Sequence, residues 1–108
     1  MVRVSAYTAG VDIPADLIEL QRARLDAERA YGDYVHEVEA RRREQHPDDI
    51  VARRTWDDGE RAEEARLRGL MLAALDAVRT HPALVGGSDR HKTEQGALQA
   101  AKELVAGG

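Results

Sequence analysis

The 108-residue sequence contains no cysteine, no phenylalanine and only three prolines. Without cysteine the chain can form neither a disulfide framework nor a thiolate metal site, so its stability must come from packing or from association. Aromatic residues are scarce, with three tyrosines and a single tryptophan, Trp56. Hydrophobic residues make up 43% of the chain, but many of them are alanine, which favours helix and fills little volume. The sequence therefore predicts a modest core.

Long hydrophobic runs are also missing. The longest apolar stretch, residues 69–75, is far shorter than the roughly 20 residues that a membrane-spanning helix needs, and residues 1–10 lack the apolar segment of a secretory signal. Charged residues make up 33% of the chain and the net charge is −4. This composition predicts a cytoplasmic protein with no membrane association, and it disfavours general affinity for nucleic acid.

What the sequence does contain is helical periodicity. We interpret residues 1–11 as an N-terminal arm and residues 12–108 as a single helical domain, with helices at about 13–45, 56–80 and 88–105. Pro14, the break at His46-Pro47, either Thr55 or Asp57 as a helix cap, and the Gly86-Gly87 turn mark these boundaries. The predicted fold is all-α: a long antiparallel helical hairpin with a shorter C-terminal helix.

Apolar residues recur at steps of three and four along both long helices. The first stripe comprises Ile13, Leu17, Leu20, Arg24, Ala27, Tyr31, Tyr34 and Val38, and the second comprises Leu67, Leu70, Met71, Ala74, Leu75 and Val78. Further apolar residues fall outside the stripes, so one three-helix unit cannot cover them all. The excess predicts a homodimeric helical bundle. The residues expected at the dimer or partner interface are Ile18, Leu25, Tyr31, Tyr34, Leu72 and Ala73.

A cluster of arginines marks the predicted end of the hairpin. Arg41, Arg42, Arg43, Arg53 and Arg54 form the best candidate contact for an anion or a nucleic acid. Many acidic residues lie close to them in sequence, which favours a solvated, salt-bridged surface instead. Trp56, at the entry to the second long helix, is interpreted either as a plug for the hairpin end or as an anchor for a partner.

Catalytic and metal-binding patterns have little support. Asp33 and His36 could ligate one metal from one helix face, as carboxylate and histidine pairs do in helical bundles. A bundle site needs acidic ligands from other helices, and Glu60, Glu63 and Glu64 are expected to pair with Arg61, Arg66 and Arg68 instead. No phosphate loop, nucleophile motif or cofactor-binding motif is present. We therefore expect no enzyme activity, no cofactor and no metal.

Because patterns for catalysis, metal binding and cofactor binding have little support, the sequence predicts a non-enzymatic protein–protein interaction module, such as an adaptor, a small regulator or an assembly factor. The alternative is a nucleic-acid-binding regulator that uses the arginine-rich end of the hairpin. The sequence identifies neither the partner nor the pathway.

Overall fold

A computed structural model describes residues 5–8, 11–85 and 89–107. Its elements in chain order are strands β1 (Ser5–Thr8) and β2 (Val11–Pro14), then helices α1 (Ala15–Gln45), α2 (Ile50–Arg54), α3 (Asp58–Arg79) and α4 (Arg90–Gly107), with a short 3₁₀ helix, Pro82–Leu84, between α3 and α4. The two strands are the only β structure among the described residues. The prediction of an all-α fold is therefore confirmed at the level of class.

The N-terminal segment, predicted as an arm, contains a two-stranded antiparallel hairpin. Ser5 pairs with Pro14 and Thr8 with Val11, and both strands contact α4. Pro14 ends β2 and leads directly into α1, because its fixed φ, here −59°, suits a helix entry and its missing N–H is not needed there. Helix α1 consequently begins two residues later than predicted.

Helices α1 and α3 pack side by side and run in opposite directions. Three contacts mark the pairing: Asp16 to His81 at 2.9 Å, Tyr31 to Glu64 at 2.8 Å and Arg41 to Glu60 at 2.7 Å. Residue numbers rise along α1 while they fall along α3. The molecule is elongated, at 56 × 29 × 20 Å, because α1 alone has 31 residues.

The apolar core lies at one end of this helix pair, which we call the base: β2, the start of α1, the end of α3, the 3₁₀ helix and α4. Its buried side chains are Ile13, Leu17, Val78, Leu84 and Ala97. Small residues on α4, such as Ala97 and Ala101, are fully buried and allow that helix to lie close to its neighbours. Helix α4 also contacts α1, so at the base it packs against α1, both strands and the 3₁₀ helix.

Two side chains depart from the predicted stripes. Leu70 was placed on the buried stripe of α3 but is 52% exposed, since it projects about 80° away from Val78 at 100° per residue. Gln21 is fully buried on α1, where its carbonyl accepts a hydrogen bond from Arg24 at 3.2 Å and its amide nitrogen has no partner in the described structure. Helical periodicity predicts the residues at the centre of a buried face better than the residues at its edges.

Candidate functional site

The other end of the helix pair, which we call the tip, is where α1 ends, α2 crosses and α3 begins. Asp57 caps α3: its carboxylate accepts from the backbone N–H of Glu60 at 2.7 Å, while the Glu60 carboxylate accepts from the backbone N–H of Asp57 at 2.9 Å. This reciprocal capping box satisfies amides that the first turn of a helix otherwise leaves unpaired. Asp57, not Thr55, is therefore the cap.

Glu60 is also the centre of an ion cluster between α1 and α3. Its side chain is only 8% exposed; one carboxylate oxygen accepts from Arg41 at 2.7 Å and the other accepts from Arg42. Arg42 lies 3.7 Å from Asp57 as well. Burial raises the pKa of Glu60, but hydrogen bonds from Arg41, the Asp57 amide and Arg42 outweigh that effect and lower the pKa to about 2. Glu60 is therefore ionised at neutral pH.

Glu60 was predicted to pair with arginines of its own helix on a wet surface, and this is wrong. It faces α1 because it lies on the same side of α3 as Leu67 and Val78, which are buried. Glu63 and Glu64 do pair within α3, with Arg66 at 2.6 Å and Arg68 at 3.3 Å. The Asp57-x-x-Glu60 spacing was a signal of a capping box that could have identified the residue.

Aromatic side chains line the tip beside this cluster. Trp56 meets Tyr34 edge to face, with ring centroids 6.3 Å apart and an interplanar angle of 75°. Tyr31 donates from its hydroxyl to Glu64 at 2.8 Å, and this hydrogen bond, with burial, raises the pKa of the Tyr31 phenol. Both tyrosines thus bridge α1 to the α3 side of the molecule. They pack within the chain, and their place at an interface with another chain stays a prediction.

Trp56 is half-buried and separates two shallow grooves. The first, about 340 Å³, runs along α2 and is lined by Arg42, Asp49, Val51, Ala52, Thr55, Trp56 and Asp57. The second, about 310 Å³, lies between α1 and α3 and is lined by Tyr31, Val35, Arg54, Trp56, Arg61 and Glu64. Trp56 lines both grooves and contacts Tyr34. Its contact with Tyr34 fits the role of a plug for the hairpin end, and the role of an anchor for a partner stays a prediction.

The five arginines proposed to contact an anion or nucleic acid do not act as one set. Arg41 and Arg42 are paired with Glu60. Arg53 donates to the carbonyl oxygens of His46, at 2.7 Å, and of Pro47, and so holds the turn after α1. Only Arg43 and Arg54 are exposed and have no ion pair among the described residues.

The predicted interface residues also divide into two groups. Ile18 is partly buried against the base core and Leu25 is half-buried on α1, and their place at an interface with another chain stays a prediction. Leu72 is 55% exposed and Ala73 is exposed as well. The exposed large apolar side chains are Ile50 and Val51 on α2, Leu70 and Leu72 on α3, Val85 after the 3₁₀ helix and Leu104 on α4, whereas α1 exposes none.

The histidine and acidic residues of the described chain are the remaining candidates for a metal site. Within residues 5–8, 11–85 and 89–107, no three histidine, aspartate or glutamate side chains lie together in a way that could hold a metal ion, and Asp33 and His36 are both exposed. His81 accepts from the backbone N–H of Ala83 through Nδ1 at 3.0 Å, so its Nε2 carries the proton that bonds Asp16. This histidine ties the 3₁₀ helix to the start of α1.

Across the part of the chain that the structure describes, no helix has both the length and the apolar character required to cross a membrane. In comparisons with known proteins, no family model, no curated protein and no solved structure matches this chain. Its function must therefore be inferred from its own surface.

Proposed function

We propose that the protein is a non-enzymatic, cytoplasmic protein–protein interaction module, an adaptor, small regulator or assembly factor, that associates with a second copy of itself. The association uses the outer face of α3, defined as Ala62, Ala65, Gly69, Leu72 and Ala73. The exposure of these small and apolar residues carries the proposal, and Asp76, which projects within about 20° of Gly69, lies beyond them toward the end of α3.

The outer face of α3 lies opposite the residues that the helix buries. At 100° per residue, Gly69 projects directly away from Glu60 and Val78. Its three alanines are exposed and Leu72 is 55% exposed. A Cβ atom added at Gly69 would meet no other atom within 4 Å. A second helix could therefore approach this face closely, since small residues permit short interaxial distances.

The face is also self-complementary. Gly69 lies near the middle of Asp58–Arg79, with small Ala62 and Ala65 before it and the larger Leu72 after it. A two-fold axis at Gly69 would place Leu72 of each protomer against the alanines of the other, so that large residues meet small ones. Isologous contacts of this kind are the most common basis of homodimers.

The surface of the chain supports the same proposal. Its accessible area is 7340 Å², whereas a compact monomer of this mass has about 6,000 Å². The radius of gyration is 18.3 Å, against about 13 Å for a compact chain of this length. The difference in area exceeds the roughly 800 Å² that one partner buries in a standard interface.

Nucleic-acid binding through the arginine-rich tip is the weaker alternative. Three of its five arginines are already bound to Glu60 or to backbone carbonyls. The two that stay exposed would give at most a small dependence of affinity on salt. The protein–protein proposal needs no rearrangement of the tip.

The test is the mass in solution, measured by light scattering after size exclusion, of the wild type and of Leu72→Lys. The matched control is Leu70→Lys, because Leu70 is 52% exposed on the same helix but points about 160° away from Leu72. We expect a dimer for the wild type and for Leu70→Lys, and a monomer for Leu72→Lys. A wild-type monomer, or equal effects of the two lysines, would contradict the proposed interface.

A further inference from the structure

The groove between α1 and α3 beside Trp56, which we call the arginine groove, combines an apolar floor with a positive rim. Trp56, Tyr31 and Val35 provide the floor, and Arg54 and Arg61 provide the rim. Its volume, about 310 Å³, is large enough for one or two side chains of a bound peptide. Arg61 lies one turn before Ala65 on α3, so the rim of the groove borders the outer face of α3.

The two arginines of the rim are available to a ligand. Both are exposed, and among the described residues neither guanidinium group forms a hydrogen bond or an ion pair. The acidic residue in the groove, Glu64, already accepts from Tyr31 at 2.8 Å and pairs with Arg68 at 3.3 Å. The rim therefore carries positive charge that the chain itself does not neutralise.

We propose that the arginine groove binds a short acidic segment of a partner protein, with an aliphatic side chain on Trp56 and neighbouring carboxylates on Arg54 and Arg61. Guanidinium groups bind carboxylates through two parallel hydrogen bonds, which fixes the orientation of the ligand. Tryptophan and arginine are the residue types that most often dominate the energy of protein interfaces. This inference rests on the proposed function but uses a different surface.

The surroundings of the groove favour a peptide over a nucleic acid. A nucleic-acid strand needs a row of cations along its phosphates, whereas this groove has two arginines, Arg54 and Arg61, and one carboxylate, Glu64. The acidic residues near the groove in sequence are Asp57, Asp58, Glu60, Glu63 and Glu64. With a net charge of −4 for the whole chain, a long polyanion would be repelled beyond the rim.

The single tryptophan makes the groove directly observable. In a proton–nitrogen correlation spectrum of the full-length protein, the one indole N–H gives one signal, which reports on Trp56. We would titrate a blocked hexapeptide that alternates leucine with aspartate, and a control peptide with asparagine in place of each aspartate. The expected result is a saturable shift of the indole signal with the acidic peptide, and at least tenfold weaker binding of the control.

Variants locate the binding and separate it from dimerisation. Arg54→Gln and Arg61→Gln should each lower the affinity for the acidic peptide at least tenfold. Arg43→Gln removes an exposed charge outside the groove and should leave this affinity unchanged. The peptide should bind Leu72→Lys as it binds the wild type, even if the dimer proposal fails. An unmoved indole signal, equal binding of both peptides, or a larger shift with oligothymidylate that salt abolishes would overturn the inference.

Discussion

The tip and the base hold the same two helices together by different means. At the base, α1 and α3 share an aliphatic core in which Leu17 and Val78 are fully buried. At the tip, no comparable aliphatic cluster is present among the described residues, and the buried Glu60 carboxylate joins the helices through two arginines. Burial of apolar area is insensitive to pH, whereas an ion cluster depends on the charge of its carboxylate. The stability of the two ends of this helix pair should therefore depend differently on pH.

The largest effect is expected at the base. Leu17→Ala removes a fully buried side chain from the core and should lower the free energy of unfolding by about 3–4 kcal/mol. Chemical denaturation monitored by circular dichroism measures this change. Leu104→Ala, at a residue that is 44% exposed on α4, is the control and should cost much less. Equal losses for the two variants would show that the base is not the stabilising core.

Acid should weaken the tip more than the base, where the pKa of Asp16 is also lowered, by its hydrogen bond to His81, but the carboxylate is exposed. The pKa of Glu60 is lowered from 4.5 to about 2 by folding, so the stability it contributes is fully present above pH 4.5 and is lost as the pH falls toward 2. The full shift in the pKa of Glu60 corresponds to roughly 3 kcal/mol of the free energy of unfolding. Denaturation curves between pH 6 and pH 2, compared for the wild type and Glu60→Gln, measure it. A profile that is equally steep in both proteins would contradict the assignment.

At neutral pH the same substitution tests the cluster directly. Glu60→Gln keeps the shape of the side chain but leaves Arg41 and Arg42 only their longer ion pairs, with Glu37 at 3.8 Å and Asp57 at 3.7 Å, and should lower the free energy of unfolding by about 2–3 kcal/mol. Glu63→Gln, which breaks an ion pair on the exposed side of α3, is the control and should cost less than about 1 kcal/mol. If both variants lose the same small amount, the tip is held by its aromatic contacts instead.

The smallest effect concerns glycines inside helices. Gly32 on α1 and Gly69 on α3 both have open space where a Cβ would lie, so each alanine substitution should raise the free energy of unfolding by about 0.5–1 kcal/mol. Thermal and chemical denaturation provide the measurement. If α3 pairs with a second copy, Gly69→Ala should in addition weaken the dimer while Gly32→Ala does not. Destabilisation by Gly32→Ala would contradict the geometry of α1.

Periodicity and helix-boundary signals were enough to predict the class of the fold. The breaks at His46-Pro47 and His81-Pro82 separate the helices in the structure as they do in the sequence, and Leu17 and Val78 were correctly placed on apolar stripes. The hairpin of β1 and β2 was not predicted, because four-residue strands have no stability alone and depend here on contact with α4. Such tertiary contacts have no local signature.

The candidate site was predicted less well. The sequence drew attention to the arginines of the tip but could not show that Arg41 and Arg42 meet Glu60, because that pairing depends on how two helices align. Arg61 was assigned to an ion pair on its own helix, whereas the structure places it beside Trp56. A charged residue's partner is decided by side-chain direction in three dimensions, which spacing along one helix does not give.

The double role of the Glu60 carboxylate makes two steps of folding interdependent. One oxygen accepts from the Asp57 amide at 2.9 Å and from Arg42, so it serves the start of α3 and its attachment to α1 at once. Initiating α3 therefore orients the group that recruits α1, and attachment to α1 in turn holds the first turn of α3 closed. A double-mutant cycle between Asp57→Ala and Arg41→Gln, whose guanidinium group contacts Glu60 and not Asp57, would show this cooperativity as a non-additive free energy. The tip should consequently open as a unit and not one contact at a time.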